Sequence, residues 1–398
     1  MSERSISLIS ALGLLFFLIT ATTFSSLGVV LPAMIAEFSW SWTTAGLGFT
    51  MLALMTGVFS PVAAGLLTRI GPRGVYAAGG AIMASGFLLM ALAGGALVYL
   101  IAASLLGAGF ALLANVAGTY LVGRAAPASL RSIMIGAYLA MGGAGGVLGP
   151  LMANAAIEGG ADWRDYWRLA ALGIAGTAAL VAILAGKDAG GNTATADQAQ
   201  AEATSIEWTS TDAMRTPAFA IIALALTIAY FCGVTVSTWS VAHLQNLGLA
   251  PAFAVGMLSL YAGANALSRA GGGFLVKFVS AKTLLIAALV CNVVGMSALA
   301  FATTQAIAIA FALFDGFAFG MALFATTALI IEYFGLKNSP ALLGAVNLAA
   351  TAAMLGPTIA GSAADKTGGF APVFLVYAVA ALAGAGAVGT LKRPAARK

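Results

Sequence analysis

One arginine stands inside an apolar stretch where a charge is costly. Arg269 lies in YAGANALSRAGGG (261–273), about 12 Å at the helical rise from Lys277, the next charge along the chain. A charge at the centre of a bilayer costs about 3 kcal/mol on insertion scales, so it persists only where it faces a cavity or a partner. Tyr261, Asn265 and Arg269 fall at i, i+4 and i+8, on one face of a helix. A guanidinium is a rigid fork of donors that meets a carboxylate at two points. Arg269 is therefore expected to be the counter-ion of an anionic substrate, or to pair structurally with Asp315, or to be a packing residue outside any substrate site.

Asp315 is the other charge deep in an apolar run, about nine residues from its outer end. Its two expected roles are to carry a proton or to neutralise Arg269 while the site is empty. Burial would favour the first and pairing the second. His243, near the outer end of the seventh run, and Glu332, at the inner end of the tenth, are the other titratable groups placed for proton coupling. Glu332 also reads as an interfacial or gate contact. Further candidates for the substrate are Asn115 and Tyr120 in the fourth run, Tyr230 and Thr238 in the seventh, and Asn347, Thr351 and Thr358 along the eleventh. The plainer role of each is an interhelical hydrogen bond, worth about 0.6 kcal/mol in a membrane.

Other chemistries are excluded. Cys232 and Cys291 sit in apolar runs as small hydrophobes, and one histidine cannot build a metal cluster with them. No Ser/His or paired-carboxylate constellation falls at a single depth, which argues against an enzyme. GAGAVG (384–389) fits a dinucleotide fingerprint only by letter, because it lies inside the last apolar run with no strand before it. No phosphate-binding loop of the Walker type is present. The chain is expected to use no metal and no cofactor.

The elements that must hold these residues follow from composition. The 398 residues are 61% hydrophobic and 8% charged, against about 25% charged in soluble domains. Spanning about 30 Å of hydrocarbon takes about 20 apolar residues in a helix. Twelve such runs occur, at about 6–31, 45–67, 74–95, 97–122, 131–157, 165–186, 217–244, 251–276, 282–303, 306–333, 340–363 and 370–391. The expectation is an all-α membrane protein of twelve transmembrane helices in two pseudo-symmetric six-helix bundles. Residues 1–186 form the first bundle, 187–215 a hydrophilic cytoplasmic linker, and 216–398 the second. Of the 18 Lys and Arg residues, 14 fall on the side holding both termini and the linker and 3 on the other, with Arg269 between. That bias predicts cytoplasmic termini in a bacterial inner membrane, and the net charge of +5 is this bias and not a surface for nucleic acid.

The halves repeat. GLLTRIGPR (65–73) matches GFLVKFVSAK (273–282) in place, and Gly149-Pro150 matches Gly356-Pro357, at offsets of 207–213 residues. Parallel repeats about an axis along the membrane normal mark one large transporter class, with its site at their interface near mid-membrane.

On these residues the whole chain resembles the major facilitator superfamily. The superfamily's loop motif G-x-x-x-D-[RK]-x-G-[RK] is met by Gly65, Arg69, Gly71 and Arg73, with Thr68 in place of the aspartate. GSAADKTGGF, with Asp365 and Gly368, is similar to its junction between helices 11 and 12. Within it, LPAMIAEFSWSWTTA (31–45), RSIMIGAYLAMGGAGGVLGP (131–150) and YAGANALSRAGGG resemble the monocarboxylate transporter group and its bacterial homologues. That resemblance puts Arg269 at the substrate-anion arginine. It departs at Asn265, where mammalian members carry an acid, and at Ala33, where they carry a lysine.

The resemblance implies a secondary active transporter of small monocarboxylates of lactate or pyruvate size, proton-coupled, working as a monomer in the lipid bilayer by alternating access. Its relatives that exchange dicarboxylates place a second cation on helix 11, and residues 340–363 hold none. Other solutes stay open, namely drugs for export, sugars or dicarboxylates, and from another class an intramembrane enzyme or a receptor.

Overall fold

The computed structural model describes residues 3–185, 208–335 and 339–394, without the side chains at 64, 115, 116, 128, 132 and 340. Residues 187–207 of the expected linker therefore lie outside the described residues. Among the described residues there is no strand, and twelve long helices follow one another. They are α1 (Glu3–Phe38), α2 (Trp42–Arg69), α3 (Gly71–Ala91), α4 (Ala96–Ala125), α5 (Arg131–Glu158) and α6 (Trp163–Ala185). After a short helix Ser210–Met214 come α7 (Pro217–Asn246), α8 (Pro251–Leu275), α9 (Ala281–Ala300) and α10 (Gln305–Phe334). Then come α11, in the segments Ser339–Ala350, Thr351–Leu355 and Gly356–Thr367, and α12 (Ala371–Gly389).

Local chemistry explains most of the boundaries. Ser41, Thr216, Ser280 and Thr304 each accept a hydrogen bond from a first-turn amide of the helix they precede. Pro217 and Pro251 then occupy first-turn positions, where no amide is needed. Gly368 stops α11 at φ 79°, a conformation that costs glycine nothing. Eleven of these helices are long and apolar enough to span a bilayer by composition alone. The exception is α8, whose Asn265, Arg269 and glycines lower its hydropathy; it is a span by its packing between α5, α7 and α10.

Three of the helices break near mid-length. α1 breaks at Thr23, α4 at Ala114, and α11 winds through a 3-10 turn before Pro357. Carbonyls at these breaks must find donors elsewhere, because lipid offers none. Tyr76 and Tyr138 donate to Leu113 O and Ala114 O at 3.2 and 2.7 Å. Ser26 donates to Ala21 O, and Trp239 Nε1 to Pro357 O at 2.9 Å.

The packing repeats. The contacts α1–α5, α2–α4 and α3–α6 are matched in the second six by α7–α11, α8–α10 and α9–α12. Between the sixes, α1 meets α7, α2 meets α11 and α5 meets α8. The outer surfaces of α6 and α12 are apolar, with Leu172 and Val379 69% and 67% exposed. A surface of that kind is stable facing lipid and not water. The protein is a twelve-helix, multi-pass membrane protein.

Candidate functional site

A cavity of about 450 Å³ lies between the two sixes. Phe24, Phe49, Thr56 and Ser60 line it from α1 and α2. Tyr230, Ser237, Phe319, Asn347, Thr351 and Met354 line it from α7, α10 and α11. The breaks in α1 and α11 serve this space, since Phe24 and Met354 flank them. Three expected residues, Tyr230, Asn347 and Thr351, thus come together. Asn347 and Thr351 spend their hydrogen bonds on their own helix, donating to Leu343 O at 2.8 Å and Asn347 O at 3.1 Å. Both are weak local bonds that a ligand can replace.

Phe319 is the hub that sequence reading missed. Its ring packs edge-on to Tyr230 at 5.5 Å and stacked on Tyr261 at 6.4 Å. The Arg269 guanidinium stands 5.7 Å from its centroid, within cation–π range. Gly233 makes room for it, since a Cβ there would meet the ring at 2.6 Å. Nothing in an apolar run distinguishes Phe319 from its neighbours; only the fold assigns it this place.

The stripe on α8 divides. Arg269 is exposed at the rim of this aromatic group, and forms no ion pair among the described residues. Tyr261 is only 3% exposed, packed on Phe311 and Phe319, and does not line the cavity. Asn265 turns into the α8–α10 contact, where its Oδ1 is buried and unpaired. One face of a helix is wider than one cavity, and α10 covers two of the three residues.

Asp315 is fully buried and accepts a hydrogen bond from Asn292 Nδ2 at 2.6 Å, so its partner is an amide on α9 and not Arg269. The expected pair of Asp315 with Arg269 does not form in this conformation. His243 is also buried, with Nε2 3.0 Å from Leu299 O and its ring 5.0 Å from that of Phe374. Glu332 is exposed at the end of α10. Tyr120 is half-buried with an unpaired hydroxyl, and Asn115 begins the second part of α4, its side chain outside the described residues. Thr238 bonds Val234 O within α7. Thr358 meets Thr50 across the two sixes at 2.8 Å.

The closure at the face opposite the chain ends was also missed. Asp365, at the end of α11, accepts from Trp42 N at 2.9 Å, Thr43 N at 3.0 Å and Thr43 Oγ1 at 2.6 Å, capping α2 of the other six. Trp42, Trp239 and Phe370 stack beneath it, with centroids 5.0–5.4 Å apart. Next along α2, a Cβ on Gly46 would collide with the Pro357 carbonyl, so backbones touch there. Thr50 then donates to Met354 O at 2.8 Å. These contacts seal the cavity on that side. On the side of the chain ends, Ser339–Ala350 packs on α7 and α10 of its own six.

Two six-helix repeats around a sealed-on-one-side cavity define a membrane carrier. The chain belongs to the Major Facilitator Superfamily, whose family model matches residues 13–351. It is therefore a transporter and not an enzyme. No curated protein matches it. Among solved structures it is similar to a bacterial homologue of the human lysosomal transporter Spinster, inward-facing and unoccupied, with TM-score 0.78, 15% identity and coverage of 98% of this chain and 97% of that one. The occupied, inward-facing form gives 0.75 at 16% identity, covering 98% and 97%. A variant of the nucleoside transporter NupG gives 0.76 at 14%, covering 96% and 99%. Likeness at this identity shows the fold alone.

Proposed function

We propose that this carrier moves a small organic monoanion, a monocarboxylate of lactate or pyruvate size, together with a proton. The observation that carries the reading is Arg269, a guanidinium with no acidic partner among the described residues, held beside the aromatic wall of the cavity. One fixed cation neutralises one carboxylate; Arg269 stands behind Phe319 at the edge of the cavity, and the lining itself holds no cation. The first six helices, within residues 1–186, rock as a monomer against those within 216–398 around that cavity, joined by the linker 187–215. The lysine and arginine bias supports an inner-membrane location with cytoplasmic termini. The seal at Asp365 then marks an inward-facing state.

A panel of ligands on purified protein tests the substrate class. A monocarboxylate at 100 times its Kd stabilises the fold by about 2.7 kcal/mol, and nucleosides and sugars at the same concentration do not. Asn347→Lys adds a second cation on the cavity wall, and oxalate or malonate should then stabilise the variant more than the wild type. No gain in a folded variant sinks the charge-counting argument. The cavity's size and its Phe24, Phe49 and Met354 wall favour a second reading, a larger amphipathic solute; stabilisation by such compounds and by no small carboxylate would establish it.

Proton coupling is assigned to Asp315, the one buried carboxyl among the described residues. His243 is walled in by Phe370 and Phe374, and Glu332 is exposed at the end of α10, which leaves them weaker candidates. Asp315→Asn keeps the side-chain volume and a hydrogen bond to Asn292, so carboxylate binding and exchange should stay near wild type. Uphill accumulation driven by a pH gradient should vanish. A variant that still concentrates substrate with acid outside makes Asp315 structural.

A further inference from the structure

A second cavity, of about 610 Å³, opens at the face of the chain ends, between the start of α7 and the end of α12. Its wall joins two chemistries. Arg215, Lys392 and Arg393 supply three cations against one carboxylate, Asp212, which already accepts from Thr209 at 2.6 Å. None of the three cations forms an ion pair among the described residues. Trp208, Ile221 and Leu391 supply an apolar side.

The cations are positioned rather than scattered. Lys282 Nζ donates to Gly389 O at 2.7 Å and Leu391 O at 2.8 Å, which fixes where the chain leaves α12 and where the next two residues stand. Trp208 is held edge-on to Phe334 at 5.6 Å. One first-turn amide of each neighbouring helix, Phe219 N of α7 and Asp212 N of Ser210–Met214, is already bonded to Thr216 and Thr209.

We propose that this cavity binds the phosphate headgroup of an anionic phospholipid from the leaflet at this face. A free phosphate needs the cations alone. A lipid also uses the rest of the site: an indole at the level where the helices end, and an apolar track that continues from Ile221 to Leu224, 51% exposed one turn further along α7. Basic pockets at the ends of transmembrane helices hold such headgroups, each Lys or Arg near the surface adding about a five-fold factor in affinity.

The test is native mass spectrometry of the full chain in neutral detergent, with phosphatidylglycerol, phosphatidylcholine of equal chain length, and inorganic phosphate as competitor. The wild type should retain phosphatidylglycerol and not phosphatidylcholine. The combined variant R215Q/K392Q/R393Q should bind it on the order of 100-fold more weakly, while R215K/R393K stays within a few-fold of wild type. Should the combined variant not fold, K392Q alone carries the test through its own loss of about five-fold. Equal retention by the Gln variants, or of the two lipids, overturns the proposal. Displacement of phosphatidylglycerol by equimolar inorganic phosphate also overturns it, and makes the cavity a free-phosphate site.

Discussion

Arg269→Ala is expected to abolish carboxylate binding and uptake while leaving the fold intact. Removing one partner of a charge-assisted, two-point contact costs about 3 kcal/mol, on the order of 100-fold in Kd. The fold should not suffer, because Arg269 neutralises no carboxylate among the described residues and flanks the Phe319 ring. Taking an unpaired charge out of a span removes a cost. Melting temperature and carboxylate affinity should therefore part company, the first unchanged or raised and the second lost. Arg269→Lys should recover little, since a point charge does not reproduce the fork. Wild-type uptake by the Ala variant in proteoliposomes would defeat the assignment of the site.

The second large effect concerns which side of the carrier is shut. Asp365 reaches across the two sixes to three donors on Trp42 and Thr43, and it is the cap of a helix it does not belong to. Those bonds exist only while α2 and α11 meet at that face. Losing a cap costs about 1 kcal/mol, and up to about 2 kcal/mol in the stronger measured cases. Because Asp365 is exposed, the lower part of that range applies, giving a shift of about 5- to 10-fold between the two states. Spin labels at Glu158→Cys and Asn246→Cys, at the ends of α5 and α7, read this directly once Cys232 and Cys291 are replaced. Asp365→Ala should increase the population with the longer distance, and Asp365→Asn, which keeps one acceptor, should fall between. An unchanged distance distribution in the Ala variant means that the aromatic stack of Trp42, Trp239 and Phe370 alone holds the closure.

The class of the protein was legible because apolar length is a local property. Twelve runs of sufficient length announce twelve helices, and each observed helix lies within a few residues of its run, as at 131–157 against Arg131–Glu158. The first run is the widest miss, since α1 continues through Pro32 to Phe38. The repeat was legible for the same reason, and the packing pairs of the two sixes match it. The breaks at Thr23, Ala114 and 351–355 were not legible. A run of apolar residues reads as one helix unless the donors that satisfy its freed carbonyls are known, and those come from other helices, as Tyr138 does for Ala114 and Trp239 for Pro357.

The same distinction separates the site residues. Arg269 stood out in the sequence because a charge in hydrocarbon is costly wherever the helix turns. Its partner could not be read there. Asp315 and Arg269 carry opposite charges in neighbouring helices, yet Asp315 faces α9 and bonds Asn292, while Arg269 faces Phe319. Helical periodicity gives the relative direction of side chains along one helix, as for Tyr261, Asn265 and Arg269. It does not give the rotation of that helix against its neighbours, which packing over the whole bundle decides. Phe319 at the hub is a residue of ordinary type in an ordinary run, and Asp365 at the seal is marked in the sequence only as part of the junction GSAADKTGGF, without its partners. Only the tertiary structure made one a wall and the other a latch, because each acts through partners on other helices, Phe319 through Tyr230, Tyr261 and Arg269, and Asp365 through Trp42 and Thr43 of the other six.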